Sequence, residues 1–201
     1  MQDSILKFSN EELAAIKDRN FFQLKHSSTK KIVDLFGDLE KELKTIASDN
    51  DLNVDGLNVT TGKIFRGENY NLYPYVLLDY PRLFTTESIF AFRTMFWWGS
   101  GFSFTLHLQG KALDQFRSKL VKDLGSLIGK EVYYCVGKTP WQYHYEKENY
   151  ILLSENCIDD ITMMNTQNEF MKLSRRLDID HFSLVKEKGI ETFNLFYSLL
   201  K

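Results

Sequence analysis

Hydrophobic side chains in the first quarter of the chain recur with the period of a helix. Ser9 and Glu12 have the spacing of a capping box, so a short helix is expected to begin there. Over residues 28–48 the apolar positions lie three or four apart, which is typical of the buried face of a surface helix. We predict a long helix whose stripe packs on a sheet; the alternative is a helix that binds a partner or a second copy. The stripe consists of Ile32, Leu35, Phe36, Leu39, Leu43 and Ile46.

From Lys63 onward the hydrophobic period changes to two. Short runs of aromatic and β-branched residues are separated by turn-forming residues, a pattern typical of β-strands. Pro74 has no N–H to donate to a sheet, so its strand should begin there or lie at an edge. The polar residues 49–62 are predicted as a loop. The predicted strands are 63–67, 73–80, 89–98, 102–109, 131–136, 141–146 and 150–153.

Helical periodicity returns after the fourth predicted strand and again near the end of the chain. Residues 111–128 carry an apolar stripe that Gly129 is well placed to end. The chain is predicted to become helical again after residue 154. Asp180 is a candidate cap for the last helix, and Gly189 is expected to bend or split it.

The order of these elements indicates the fold class. Helices at both ends with strands grouped between them favour an α+β fold over strict alternation of strand and helix. We predict one domain spanning residues 1–201, with a single antiparallel sheet of about six or seven strands and helices packed mainly on one face.

The most informative segment is the aromatic stretch around residues 99–101. If Gly99, Ser100 and Gly101 form a three-residue loop, the flanking runs pair so that one face is almost wholly apolar and the other is mixed. A slip by one residue would exchange the two faces. The apolar pairs are then Trp98–Phe102, Phe96–Phe104, Thr94–Leu106 and Phe92–Leu108, and the mixed pairs are Trp97–Ser103, Met95–Thr105 and Arg93–His107.

The mixed face is the best candidate for a functional surface. An apolar lining with a few polar groups is typical of small-molecule sites. We therefore take Arg93, Trp97 and His107, with Tyr133 from a nearby strand, as candidate ligand-binding residues. They predict a non-enzymatic binding or adaptor domain that holds a small ligand or a peptide segment. The alternative is that this face simply meets water or a helix.

Asp79 falls on the same face as Tyr75 and Leu77 in the strand before the hairpin. We expect Asp79 and Arg82 to pair with Arg93 or with a ligand.

A second functional hypothesis rests on cysteine chemistry. Residues 131–146 resemble a hairpin around 137–140, which would place Cys135 and His144 diagonally on one face. A nucleophilic cysteine needs a base within hydrogen-bond reach. The alternative function is therefore a hydrolase or transferase that uses Cys135 with His144 or His107. The structural interpretation of the same residues is a buried thiol and a histidine that is hydrogen-bonded to a neighbour.

Composition and charge narrow the classes of partner. Lys and Arg total 25, Asp and Glu total 27, and the net charge is −2, which disfavours binding to nucleic acid or to an anionic membrane. No apolar run is long enough for a membrane helix. The four histidines lack metal-ligand spacing, and no cofactor motif is present, so neither a metal nor a cofactor is expected. Two cysteines do not make a disulfide framework, which favours a soluble cytoplasmic protein, with a homodimer possible.

Overall fold

The structure, a computed structural model, describes residues 7–48 and 54–201 and contains five α-helices and seven strands. Residues 49–53 of the predicted loop 49–62 lie outside the described residues. The helices are α1 (Asn10–Lys17), α2 (Arg19–Ser48), α3 (Lys111–Asp123), α4 (Ile158–Asn165) and α5 (Val185–Ser198), with 3₁₀ helices at Leu124–Leu127 and Ile179–Leu184. The strands are β1 (Lys63–Tyr70), β2 (Tyr73–Phe84), β3 (Ser88–Trp97), β4 (Gly101–Gly110), β5 (Tyr133–Cys135), β6 (Tyr150–Leu152) and β7 (Phe170–Leu177).

All strands belong to one antiparallel sheet in the order β1-β2-β3-β4-β7-β5-β6. The first four strands form a meander, and β7 then enters between β4 and β5. Helices α2, α3 and α5 pack on the same apolar face of this sheet. The predicted α+β class, with helices mainly on one face, is confirmed.

Helix α2 carries the predicted stripe, with Ile32, Phe36, Leu39 and Leu43 all buried. It begins at Arg19, nine residues before the predicted start at 28. The side chain of Asp18 caps it by accepting a hydrogen bond from the backbone N–H of Phe21 at 2.9 Å. The first part of α2 was missed because none of its side chains before Ile32 is buried, so no stripe marks it.

The central hairpin keeps its predicted faces but not its predicted register. Trp97 pairs with Gly101 and Phe96 with Phe102, so the loop consists of residues 98–100. The shift is two positions, which leaves every side chain on its predicted face. Gly101 has φ +85°, and a Cβ there would lie 2.7 Å from the carbonyl oxygen of Leu177, so the close approach of β7 selects glycine at this position.

Two predicted elements were wrong, and the errors are connected. Residues 141–146 are not a strand, and β5 pairs with β6 instead, so that Tyr133 lies opposite Leu152 and Cys135 opposite Tyr150. The second neighbour of β5 in the sheet is β7, which lies in a region that was predicted as helical. Its alternation was obscured because the charged side chains of Lys172 and Arg175 are buried there.

Gly189 does not bend the last helix, contrary to expectation. It lies inside continuous α5, where a Cβ would come 3.0 Å from Leu39 Cδ2 and 3.1 Å from Phe104 Cε1. Its lack of a side chain therefore lets α5 approach both α2 and β4. Gly37, in α2, has open space at the corresponding position, with nothing within 4 Å.

The two helical glycines should respond oppositely to substitution. Gly37→Ala should stabilise the protein by roughly 0.5–1 kcal/mol, because alanine favours the helix and meets no neighbour. Gly189→Val should destabilise it by about 2 kcal/mol, because the branched side chain forces α5 away from the core. Urea denaturation measures both changes. If both variants were equally stable, close packing at Gly189 would not be the constraint.

Candidate functional site

The mixed face of the sheet is not open to solvent over most of its area. Residues 136–149, which we call the strap, connect β5 to β6 and cross this face without regular structure. Tyr143 of the strap is buried, and its backbone N–H donates to the hydroxyl of Tyr70 at 2.8 Å. The Tyr145 hydroxyl lies 2.5 Å from the hydroxyl of Ser174 on β7. The strap therefore takes the place that water would occupy on an open antiparallel sheet.

Arg93 anchors the strap through a buried ion pair. Its guanidinium donates from Nε to Asp79 Oδ1 at 2.6 Å and from Nη2 to Asp79 Oδ2 at 2.7 Å, and it also donates to the hydroxyl of Tyr143. Burial is the largest single influence and opposes the charge, but the hydrogen bonds and charge interactions with Asp79 and Tyr143 together outweigh it and hold the pKa of Arg93 above its usual range. The predicted pairing of Asp79 with Arg93 is confirmed. The guanidinium thereby serves the fold and is not exposed to a ligand.

Lys172 on β7 is fully buried beneath the strap. Its ammonium donates to the carbonyl oxygen of Gln142 at 2.6 Å and lies 4.2 Å from the ring centre of Tyr143 and 5.1 Å from that of Tyr150. Within the described residues no carboxylate lies within 4 Å of this ammonium. Burial lowers the pKa of Lys172 to about 7.

His107 also lies beneath the strap, with its ring edge-on to Trp141 at 5.6 Å and to Phe170 at 6.4 Å. Burial, followed by the charges of Lys172 and Arg93, lowers the pKa of His107 to about 3. The imidazole is therefore neutral at physiological pH, and in the described part of the chain its Nε2 has no hydrogen-bond partner.

Cys135 is joined to the strap through Asn149. Its thiol donates to Asn149 Oδ1 at 3.6 Å, and Asn149 Nδ2 donates to the carbonyl oxygen of His144 at 2.6 Å. The predicted hairpin that placed Cys135 opposite residues 141–146 does not form, and it is the backbone carbonyl of His144, in the strap, that bonds to Asn149. Burial raises the pKa of Cys135, whereas a catalytic thiol needs a lowered pKa and access to solvent.

One end of the mixed face remains open. A cleft of about 370 Å³ lies between the β3–β4 turn and the strap. Trp97 forms one wall, and its indole Nε1 donates to the carbonyl oxygen of Tyr70 at 3.1 Å, which fixes the ring. The cleft is also lined by Met95, Ser103, Tyr143, Tyr145, Glu146 and Arg176, and by His144, the base of the cysteine hypothesis.

Arg176 is the principal charged group at this opening. It is exposed at the end of β7, with its guanidinium carbon 5.5 Å from the ring centre of Tyr133 and 5.6 Å from that of Tyr145. Among residues 7–48 and 54–201 no carboxylate lies within 4 Å of this guanidinium, which is thus free to meet an anion. It also lines an adjoining hollow of about 520 Å³ that contains Tyr133, His181 and the ion-paired Glu131 and Lys188.

The four predicted ligand-binding residues are divided by the strap. Trp97 and Tyr133 line the two openings, whereas Arg93 and His107 are buried beneath the strap. Arg176 was missed as a site residue because its strand was not predicted. The sequence marked Arg176 only as one half of a basic pair with Arg175. The side chain of Arg175 points to the opposite face of the sheet and binds Glu191 at 2.9 Å.

Comparison with protein-family models, with curated proteins and with solved structures gives no match, so the function is argued from the site itself. Over the residues that the structure describes, no helix has the length and apolar character needed to cross a membrane. In the same ranges no three His, Cys, Asp or Glu side chains converge to hold a metal ion.

Replacing Lys172 should change how stability depends on pH. Its pKa is about 7 in the fold against 10.5 in the unfolded chain, so between these values the unfolded state binds more protons and stability rises with pH. The advantage of Lys172→Met over the parent should therefore be largest below about pH 7, and it should shrink by up to about 1.4 kcal/mol per pH unit between pH 7.5 and 9.5. Urea denaturation across this range measures the difference.

The comparison between variant and parent cancels the titrations of groups that do not interact with Lys172. Cys135 does interact with it, so Cys135 is replaced by serine in both proteins. Lys30→Met, at an exposed position of α2, should show no pH-dependent difference. Parallel stability curves for Lys172→Met and the parent would contradict a lowered lysine pKa.

Cys135 should be chemically inert while the protein is folded. In a Cys157→Ser variant Cys135 is the only thiol, and it should react with iodoacetamide about a hundredfold more slowly in the folded protein than in urea, because burial keeps it protonated and inaccessible. Mass spectrometry of the alkylated protein follows the reaction. Equal rates in the two conditions would show an accessible thiol and revive the nucleophile hypothesis.

Proposed function

We propose that this protein is a non-enzymatic binding module that holds a small ligand or a short peptide segment in the cleft between the strap and the β3–β4 turn. The observation that carries the proposal is Arg176, an exposed cation fixed over two tyrosine rings at the mouth of that cleft. The cleft, at about 370 Å³, falls within the size range of small-molecule sites.

The chemistry of the cleft supports an anionic ligand with an apolar part. A guanidinium presents several N–H donors in one plane and binds a carboxylate or a phosphate through two parallel hydrogen bonds. Met95 and Trp97 provide an apolar and aromatic wall for the rest of the ligand. Glu146 at the rim would repel a second anionic group, which favours a ligand with one negative charge at the Arg176 end.

The walls of the cleft are fixed before any ligand arrives. Trp97 is tied to the backbone of Tyr70, and Tyr145 is tied to Ser174. Tyr143 is held by the Arg93 guanidinium. Since these side chains are already ordered, binding loses little of their conformational entropy.

The cysteine-dependent hydrolase or transferase has less support. Cys135 is buried, and its pKa is raised instead of lowered. His107 is kept neutral beneath the strap by burial, away from both openings. Both cysteines are free thiols, which supports placing the proposed binding function in a reducing compartment such as the cytoplasm.

Ligand-observed NMR with paired carboxylates and their primary amides tests the proposal. Carboxylates with an aromatic or branched apolar part should bind, and their amides should bind more weakly. Arg176→Gln should weaken carboxylate binding about tenfold or more, because a charged hydrogen bond is lost. Arg66→Gln, at an exposed position of β1, is the matched control and should bind as the parent does. Equal affinity of the parent and Arg176→Gln for every carboxylate would refute the assigned role.

A further inference from the structure

A second concave surface lies on the helix-covered side of the sheet, beside the same β3–β4 turn. It is a groove of about 410 Å³, separate from the Arg176 cleft. Helix α2 forms one wall, and the 3₁₀ helix that follows β7 forms the other. The side chains that matter for its chemistry are Lys31, Ile32, Phe96, Trp98, Ile179 and Phe182.

The walls of this groove are apolar but incompletely covered. Ile32 and Phe96 are buried at its inner side, whereas Ile179 is 46% exposed and Phe182 is 41% exposed. Phe182 is held in place by its ring contact with Phe102, at 6.2 Å between centroids. Large apolar side chains held exposed around a concavity mark a surface that gains free energy when an apolar group covers it.

Two of the polar groups that line the groove are donors that no acceptor of the described residues satisfies. Trp98 Nε1 is buried, and nothing in the described part of the chain accepts its hydrogen bond. A buried N–H without an acceptor is unfavourable, so an acceptor brought by a ligand would be bound strongly. Lys31 at the rim is exposed, and no carboxylate of the described residues lies within 4 Å of its ammonium.

One acid also lines the groove and limits what can bind. Asp178 lies at the rim, but its Oδ1 already accepts from the backbone N–H of Asp180 at 3.0 Å, as the cap of the 3₁₀ helix. The negative charge of Asp178 remains, so an anionic head group is favoured only at the α2 wall, where Lys31 lies. Trp98 and Lys31 would both bind an acceptor-rich, negatively charged head group.

We propose that this groove binds a carboxylate-headed amphiphile of the fatty-acid type. The alkyl chain would cover Ile32, Ile179 and Phe182, and the carboxylate would accept from the Lys31 ammonium and, once the indole turns toward the groove, from Trp98 Nε1. The proposal does not depend on the Arg176 cleft, which lies on the other face of the sheet.

The probe is 12-bromododecanoate, used below the concentration at which it forms micelles, because bromine quenches tryptophan fluorescence only at short range. The parent should be quenched in a saturable manner, and plain dodecanoate should compete. Trp98→Phe should remove most of the quenching. Trp141→Phe, at an exposed position, is the matched control and should keep it.

The head group is tested with Lys31→Gln, which should weaken binding several-fold, and with Lys30→Gln, an exposed neighbour outside the groove, which should not. Dodecyltrimethylammonium has the same chain with the opposite charge and should not compete. If it competed as well as dodecanoate, the donor-based assignment of the head group would be overturned. Arg176→Gln should leave this binding unchanged, which separates the groove from the cleft.

Phe182→Ser is the second groove variant, because its exposed position makes it less dependent on the core. It should lose bromododecanoate binding and keep the thermal midpoint of the parent within a few degrees. Saturable quenching that survives in both Trp98→Phe and Phe182→Ser would overturn the proposal. A dimer in light scattering that Phe182→Glu disperses, with no quenching of the parent, would also overturn it and assign the groove to a second copy of the chain.

Discussion

A buried ion pair holds the strap to the sheet, and the shape of the mixed face depends on it. Asp79 is fully buried, and both of its carboxylate oxygens accept from Arg93. Leaving either charge alone at this depth costs about 3–5 kcal/mol, so the two residues act as a unit. Because Arg93 also donates to Tyr143, the pair fixes the strap residue that forms part of the cleft wall.

The strap allows the sheet to carry polar side chains on a face that solvent does not reach. Ser174 illustrates this, since its hydroxyl bonds with Thr105 on the neighbouring strand at 2.7 Å and with Tyr145 of the strap. Lys172 is less well satisfied, because a backbone carbonyl and two aromatic rings replace the carboxylate that a buried ammonium normally requires. The buried polar side chains beneath the strap therefore have a paired charge at Arg93 and an ammonium without a counter-ion at Lys172.

Alternation along β3 and β4 was sufficient to predict which side chains share a face, because a strand has a side-chain period of two. It was insufficient for the register, since a shift of two residues buries the same set; the close approach of Gly101 to Leu177 decides that question. The sequence pattern failed where tertiary contacts override local preference. Residues 141–146 alternate like a strand but form part of the strap. Residues 170–177 form β7, although the buried charge of Lys172 hides its alternation.

The residues of the candidate site likewise differ in whether a local sequence pattern marks them. Trp97 and Tyr133 were predictable because they alternate with buried neighbours in strands that the sequence marks. Arg176 was not, because its role depends on two tyrosines that come from different parts of the chain. A cation placed over rings from β5 and from the strap is a property of the assembled sheet and leaves no local pattern.

The β3–β4 turn joins the two proposed sites, and its geometry decides whether they communicate. Trp97 and Trp98 are consecutive, so one faces the Arg176 cleft and the other faces the groove beside α2. Coupling between two sites requires an element with two arrangements that both ligands bias. Gly101 lies so close to the backbone of Leu177 that even a methyl group would not fit, which leaves the turn no room to move toward β7. This contact with β7 therefore opposes a movement of the turn through which one site could act on the other, although residues 99–101 line both the cleft and the groove.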